Sequence, residues 1–392
     1  MLNERMCEIG SARNFFFEQM AFGRERAKAV GPENVFDFSI GNPSVPPPEP
    51  VMRSLRALMD EEPLSLHGYT PQAGSQEARE AVAAALNRRH HTRFTAEAVT
   101  MTCGAAAALT AVARALTTGP ETEFIVFAPF FSEYLYYVGT AGAKIVVVPA
   151  DTEDFQIDFA ALERAITPRT QAVIIDSPNN PSGAVYTAET LRRLAEILTR
   201  RSESYGKPIY LISDEPYREL YYGEEPLPFV TEYYRDAIVD YSYSKCFSMP
   251  GERIGWLLLP DELTDCGRLR AAAQGALRSM GQICAPSGMQ KLIARCADIR
   301  PDLAAYRKNR DLLYGALTEM GYRAAPPMGA FYVFVEAPGG GMDFTLRARE
   351  EDILVVPGEA FACPTHARIS YCVPYERVER ALPRFERLLR AK

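Results

Sequence analysis

Two neighbouring runs decide the reading of this chain: Ile209-Tyr210-Leu211-Ile212-Ser213-Asp214 and Ala237-Ile238-Val239-Asp240-Tyr241-Ser242-Tyr243-Ser244-Lys245. Each starts as a short β-branched, apolar stretch, the pattern of a strand covered on both faces. Each then leads to a residue that carries chemistry: Ile209–Ser213 ends in Asp214, and Ala237–Ser242 runs into Lys245. Two further strands behave alike. Ala172–Asp176 opens the turn Ser177-Pro178-Asn179-Asn180-Pro181-Ser182-Gly183, and Val99–Cys103 stops at Gly104, where Ala105 to Ala108 begin a helix. In open α/β sheets ligands sit outside the carboxyl ends of the strands. A carboxylate, an amine, a side-chain amide and a set of helix N-terminal N–H groups are therefore expected around one ligand.

Outward from this centre, strands alternate with helical patterns, which predicts an α/β fold. Helices are predicted over 74–90, 159–166 and 188–200, and strands over 124–128, 144–149 and 254–260. Beyond about residue 285 the texture changes. A long amphipathic helix (302–320) precedes strands near 330–336, 353–356 and 368–373, and a final helix spans 376–390, where Pro383 predicts a kink or break. Gly339-Gly340-Gly341 reads as a flexible loop. The division expected is an N-terminal arm (1–45) joining a small domain, a large domain (46–285) and a C-terminal small domain (286–392).

Composition removes several classes of function. The 392 residues carry 43 Lys+Arg against 50 Asp+Glu, a net charge of −7, which argues against a nucleic-acid partner. No apolar run approaches the roughly 18 residues of a membrane span. Glu4, Arg5 and Glu8 interrupt any signal-peptide core, so a cytoplasmic protein is expected. The eight cysteines are scattered without a C-x-x-C pair or a Cys/His cluster, and no metal site is predicted. The aromatic run Phe15-Phe16-Phe17 is expected to pack as an arm on a partner subunit.

The polar residues make joint sense around a phosphorylated pyridine aldehyde. Lys245 can condense with the aldehyde, and Asp214 can pair with a protonated ring nitrogen. Ser242 and Arg253 can bind phosphate beside the amides of Ala105 and Ala106, and Asn180 and Tyr217 can hydrogen-bond a phenolic oxygen. Here the sequence resembles a known family. Ser242-Tyr243-Ser244-Lys245 with Arg253 eight residues on is similar to the lysine signature of the class I/II aminotransferases, the fold-type I pyridoxal-phosphate enzymes. Asn180-Pro181-Ser182-Gly183 resembles their Asn-Pro-Thr-Gly turn, with Ser replacing Thr. Asp214-Glu215-Pro216-Tyr217 resembles their Asp-x-x-Tyr element, and Arg368-Ile369-Ser370 their C-terminal arginine. Weaker matches are Ser39-Ile40-Gly41-Asn42-Pro43, Tyr69 in Gly68-Tyr69-Thr70-Pro71, and Phe131 in Pro129-Phe130-Phe131. The matches run in order from about residue 36 to 390.

The resemblance implies a three-layer α/β/α large domain with a mixed, mostly parallel seven-stranded sheet, and a smaller α+β domain drawn from both termini. It implies pyridoxal 5′-phosphate as cofactor and a ping-pong transfer of an amino group from an L-amino acid to a 2-oxo acid. Lys245, Asp214 and Tyr217 would take the catalytic roles. Gly104, Ala105, Ala106, Phe131, Asn180, Ser242 and Arg253 would hold the cofactor, and Gly41, Asn180 and Arg368 the substrate carboxylate. A homodimer is implied as well, with the active site at the interface and Tyr69 reaching the neighbouring subunit's phosphate. A carbon–sulfur β-lyase of the same fold shares these residues and is the alternative reading. A non-catalytic cofactor-binding sensor is the remote one.

Overall fold

In the computed structural model, which describes residues 2–12, 14–60 and 63–390, the strands are, in chain order, β1 Phe36–Asp37, β2 Val99–Thr102, β3 Glu123–Phe127, β4 Lys144–Val148, β5 Thr170–Asp176, β6 Tyr210–Asp214, β7 Ala237–Ser242, β8 Gly255–Leu258, β9 Tyr332–Glu336, β10 Ile353–Leu354, β11 Val356–Pro357 and β12 His366–Ser370. Strands β2 to β8 form one seven-stranded sheet in the order β2-β8-β7-β6-β5-β3-β4. β8 is antiparallel to both of its neighbours and every other pairing is parallel. This is the mixed, mostly parallel α/β sheet that the sequence implies.

The strands read as unbroken apolar runs because both faces of the sheet are covered. Alternate residues point to opposite sides, and they sort into two cores. Ile125, Val173, Ile175, Leu211 and Val239 face one core, which also holds the helices Gln76–His90 and Ala188–Tyr205. Phe124, Val126, Ile174, Ile212 and Ile238 face the other, against the helices Ala105–Leu116 and Cys266–Ser279. Burying each large aliphatic side chain is worth about 1.5–3 kcal/mol, so the sheet is stabilised from both sides. Helix starts are set locally: the Ser75 and Thr187 side chains accept from the backbone N–H groups of Ala78 and Thr190.

A third core lies around the antiparallel sheet β11-β12-β9. Phe36 and Phe38 join it beside Tyr306, Leu313, Phe331 and Phe385, and β1 pairs in parallel with β10. Residues before position 40 thus pack on residues after 300. The final helix, Tyr375–Arg390, runs through Pro383 unbroken. Val378, Ala381, Phe385 and Leu388 bury one continuous face across the proline, and this packing outweighs the lost hydrogen bond. The glycine run departs from its expected loop: Gly339 and Gly340 have positive φ, but Gly341 begins the helix Gly341–Glu350. A side chain there would collide with the His366 carbonyl, so close packing explains that glycine. The helix Cys266–Ser279 was not legible from the sequence because only two of its four buried residues, Leu269 and Leu277, are large, and the other two, Ala273 and Ala276, leave no continuous apolar stripe.

Gly255 in β8 lies against Gly104, whose Cα is 2.9 Å from where a Gly255 Cβ would stand, and against the Tyr241 carbonyl. Both obstacles are backbone. Gly255→Ala should therefore lower stability by about 1–3 kcal/mol through overpacking. Denaturant unfolding measures this, and a variant as stable as the parent would show that β8 can shift away.

Candidate active site

Because β2 is antiparallel to β8 and β8 to β7, the carboxyl ends of β2, β5, β6 and β7 share one edge of the sheet. A cavity of about 420 Å³ opens at that edge. Gly41, Ala105, Ala106, Phe131, Asn180, Asp214, Tyr217, Ser242, Lys245, Arg253 and Arg368 all line it. Gly104 lies just beneath. Its φ is +85°, and a Cβ there would sit 2.9 Å from Arg253 Nη2 and 3.4 Å from Ser242 Oγ, so only glycine leaves this corner open. Tyr69 stands apart from the cavity of its own chain, 91% exposed.

The floor is built from the ends of β6 and β7. Asp214 closes β6 and is buried; the Tyr134 hydroxyl donates to its Oδ2 at 2.7 Å, whereas its Oδ1 has no partner. Burial raises the Asp214 carboxyl to about 6, and the hydrogen bond from Tyr134 opposes that shift. Lys245 sits on the one-turn helix Tyr243–Cys246, started by the Ser242 side chain accepting from the Ser244 N–H. Its Nζ donates to the Gly41 carbonyl at 2.7 Å. Burial lowers its pKa to about 8, with Arg368 and Arg253 lowering it further and Cys372 opposing. An amine in this range is partly neutral at physiological pH, as a nucleophile or base must be.

At one end of the cavity is an anion-binding corner. The helix Ala105–Leu116 begins there without a side-chain cap, so its first N–H groups face the cavity mouth with the positive end of the helix dipole. Arg253 donates to the carbonyls of Pro250 and Cys103, and Ser242 Oγ lies 2.6 Å from Ser244 Oγ. At the other end Arg368 is 2% exposed. Its Nη1 donates to Asn180 Oδ1 at 2.8 Å and its Nη2 to the Ser39 carbonyl at 2.6 Å, while Nε has no partner.

Four contributors escaped the sequence reading: Tyr134, Tyr332, Phe16 and Asp176. Tyr134, which donates to Asp214, comes from a helix (Tyr134–Ala141) with no motif to mark it. Tyr332 places its ring 4.3 Å from the Arg368 guanidinium carbon and its hydroxyl 2.9 Å from that of Tyr217. Phe16, in the run expected to pack on a partner subunit, lines this cavity of its own chain with its ring 4.9 Å from the same guanidinium. Only Asp176 had a signal, since it ends β5 as Asp214 ends β6.

Comparison with known proteins agrees with this geometry. Residues 33–385 match the family model for aminotransferase class I and II. This chain belongs to that family. The aminotransferase is 49% identical to an amino transferase from Eubacterium rectale whose crystal structure superposes with a TM-score of 0.97, covering 100% of this chain and 98% of that one. It is 33% identical over 358 residues to an aspartate/prephenate aminotransferase from Thermus thermophilus, 90% of each chain. It resembles the aspartate aminotransferase of Thermotoga maritima at 28% identity, with a TM-score of 0.87 and complete coverage of both chains.

The shifted lysine gives the enzyme a pH signature. Between about 8 and its usual 10.5 the unfolded chain binds more protons at Lys245 than the folded one, so this residue makes the cofactor-free protein more stable as pH rises. Lys245→Met should remove that rise from unfolding free energies measured between pH 8 and 10.5. An identical slope in parent and variant would mean that the amine is not desolvated.

Proposed function

We propose that this aminotransferase uses pyridoxal 5′-phosphate to move an amino group from an L-amino acid to a 2-oxo acid in a ping-pong cycle. The observation that carries the reading is the joint lining of one cavity by the Lys245 amine, the buried, unpartnered Asp214 Oδ1 and the Arg368 guanidinium. The residues fit the cofactor. Asp214 Oδ1 needs a cationic N–H donor, and the corner cleared by Gly104 beside Ser242 and Arg253 fits a phosphate. Ala105 and Ala106 would offer it backbone N–H groups, and Phe131 and Tyr217 would border the ring.

When bound, the cofactor supplies an electrophilic aldehyde and a protonated ring that draws electrons from the substrate Cα. Lys245 Nζ is the base that removes the Cα proton, aided by its lowered pKa. Asp214, as a carboxylate fixed by Tyr134, holds the proton on the ring nitrogen. Arg368, held by Asn180 and the Ser39 carbonyl, grips the substrate carboxylate, whose arrival also answers the open Nε. Gly41 leaves the space beside the Tyr332 hydroxyl that a side chain would fill.

Several wider features belong to the same reading. Tyr69, exposed on its own chain, would complete the neighbouring site in a homodimer. The division into a large domain of 46–285 and a small one of 1–45 with 286–392 is supported by the separate core around the smaller sheet. A cytoplasmic location suits eight free cysteines, and no described helix is long and apolar enough to cross a membrane. The cations lining the cavity are Lys245, Arg253 and Arg368, all three already assigned roles, and Phe16, Phe17, Met20, Ile40 and Leu109 give part of its wall an apolar surface, beside Glu133. This favours donors with uncharged side chains.

Purified protein given one amino acid and no acceptor should release a stoichiometric amount of 2-oxo acid and then stop until a second oxo acid is added. Continuous release of pyruvate and ammonia from a β-substituted donor would instead indicate the lyase. Lys245→Ala should abolish turnover. Arg368→Ala should cost about 10–100-fold in kcat/KM, the loss of one charged hydrogen-bonding contact of about 1.5–3 kcal/mol. Aspartate turned over faster than every uncharged donor would refute the proposed side-chain preference.

A further inference from the structure

The register of the three central strands produces a feature that the proposed chemistry does not use. Asp176 on β5 pairs with Asp214 on β6, and Asp214 pairs with Asp240 on β7. In-register residues of adjacent parallel strands point to the same face about 4.8 Å apart, so three carboxyl groups stand in a row. They are 5%, 4% and 0% exposed. Among the described residues none of them has an ion-pair partner. Asp176 accepts the Asn180 backbone N–H and Asp214 the Tyr134 hydroxyl, but as a carboxylate Asp240 finds no donor for either oxygen.

Three buried, adjacent negative charges without a cation are not tenable. The nearby charges are already committed. Arg218 pairs with Glu215 at 2.9 Å, Arg368 bonds Asn180 and the Ser39 carbonyl, Lys245 bonds Gly41, and Arg253 bonds Pro250 and Cys103. The other titratable groups facing the row are tyrosine hydroxyls: Tyr134 and Tyr137 from the helix beneath, Tyr186 and Tyr217 beside Asp176, and Tyr332 from β9. A protonated Asp240 removes one of the three charges and satisfies the carboxyl that lacks a donor on both oxygens, because its O–H becomes a donor and Asp214 is the carboxylate next to it.

We propose that Asp240 is a positioning residue, carried as a neutral acid that donates a hydrogen bond to Asp214 and so helps to keep Asp214 ionised, where the ring nitrogen of the cofactor would meet it. Asp214, which lines the cavity, then has two donors on the protein side, Tyr134 and Asp240. Burial and the Asp214 charge both push the Asp240 carboxyl well above the usual range, in line with this arrangement. The role of Asp240 rests on the cofactor reading, whereas the location of its proton does not.

The test has two arms. Infrared difference spectra of the full-length cofactor-free protein at neutral pH should show a carboxylic-acid C=O band that Asp240→Asn removes. Absence of that band would mean that Asp240 is ionised and would overturn the proposal. In the second arm, pyridoxal phosphate is titrated onto parent and variants. Asp240→Asn keeps an N–H donor to Asp214 and should retain most of the affinity. Asp240→Leu removes the donor and should weaken binding about 10–100-fold, the range for a hydrogen bond to a charged group. Equal affinities for the Asn and Leu variants would overturn the positioning role. A parent protein that binds no pyridoxal phosphate would overturn the cofactor reading and the positioning role with it, while the infrared band still decides the protonation state.

Discussion

The in-register parallel pairing of β5, β6 and β7 is the constraint on which the rest of this site depends. It brings three strand ends level, so that Asp176, Asp214 and Asp240 form one row and Lys245 follows a single turn later. A slip of one residue would turn Asp214 to the opposite face and exchange the two cores on either side of the sheet. Because Ile212 and Ile238 serve one core and Leu211 and Val239 the other, such a slip would bury nothing well. Hydrophobic packing thus enforces a register whose functional product is polar.

The second dependency runs between the two sheets. Arg368 leaves β12 in the smaller sheet and donates to Asn180, which sits in the turn after β5 of the large one. The Ser39 carbonyl, next to the paired strands β1 and β10, takes its other nitrogen. Tyr332 and Phe16 cover the guanidinium, so the group is desolvated while part of its hydrogen-bonding capacity stays open. Desolvation strengthens its attraction for a carboxylate and makes the position intolerant of an unpaired state. Lys245 obeys the same rule with the opposite outcome: among the described residues its burial is met by one carbonyl and no anion, so its affinity for a proton falls.

Much of this was legible in the residues. Asp214 and Lys245 stand out because a polar residue after an apolar strand run marks the ligand edge of an α/β sheet, and Asn180, Arg253 and Arg368 carry local motifs. Tyr134, Tyr332 and Phe16 carry none. Each is an aromatic residue whose sequence neighbourhood is equally that of an ordinary core position, and only its partner across the fold gives it a function. Pro383 shows the converse, since its local rule predicts a disturbance that one continuous buried face suppresses.

By itself the sequence determined the alternation of strand and helix, the residues at the strand ends and the family to which the chain belongs. These follow from period, burial pattern and short motifs, all of which act over a few residues. The tertiary structure alone decided which strand ends lie side by side, that Asp240 faces Asp214, and that Arg368 is shared between two sheets and screened by Phe16. Those outcomes join residues 26 to more than 300 positions apart. No local propensity encodes them, because they are set by how two covered faces and one closed core are packed together.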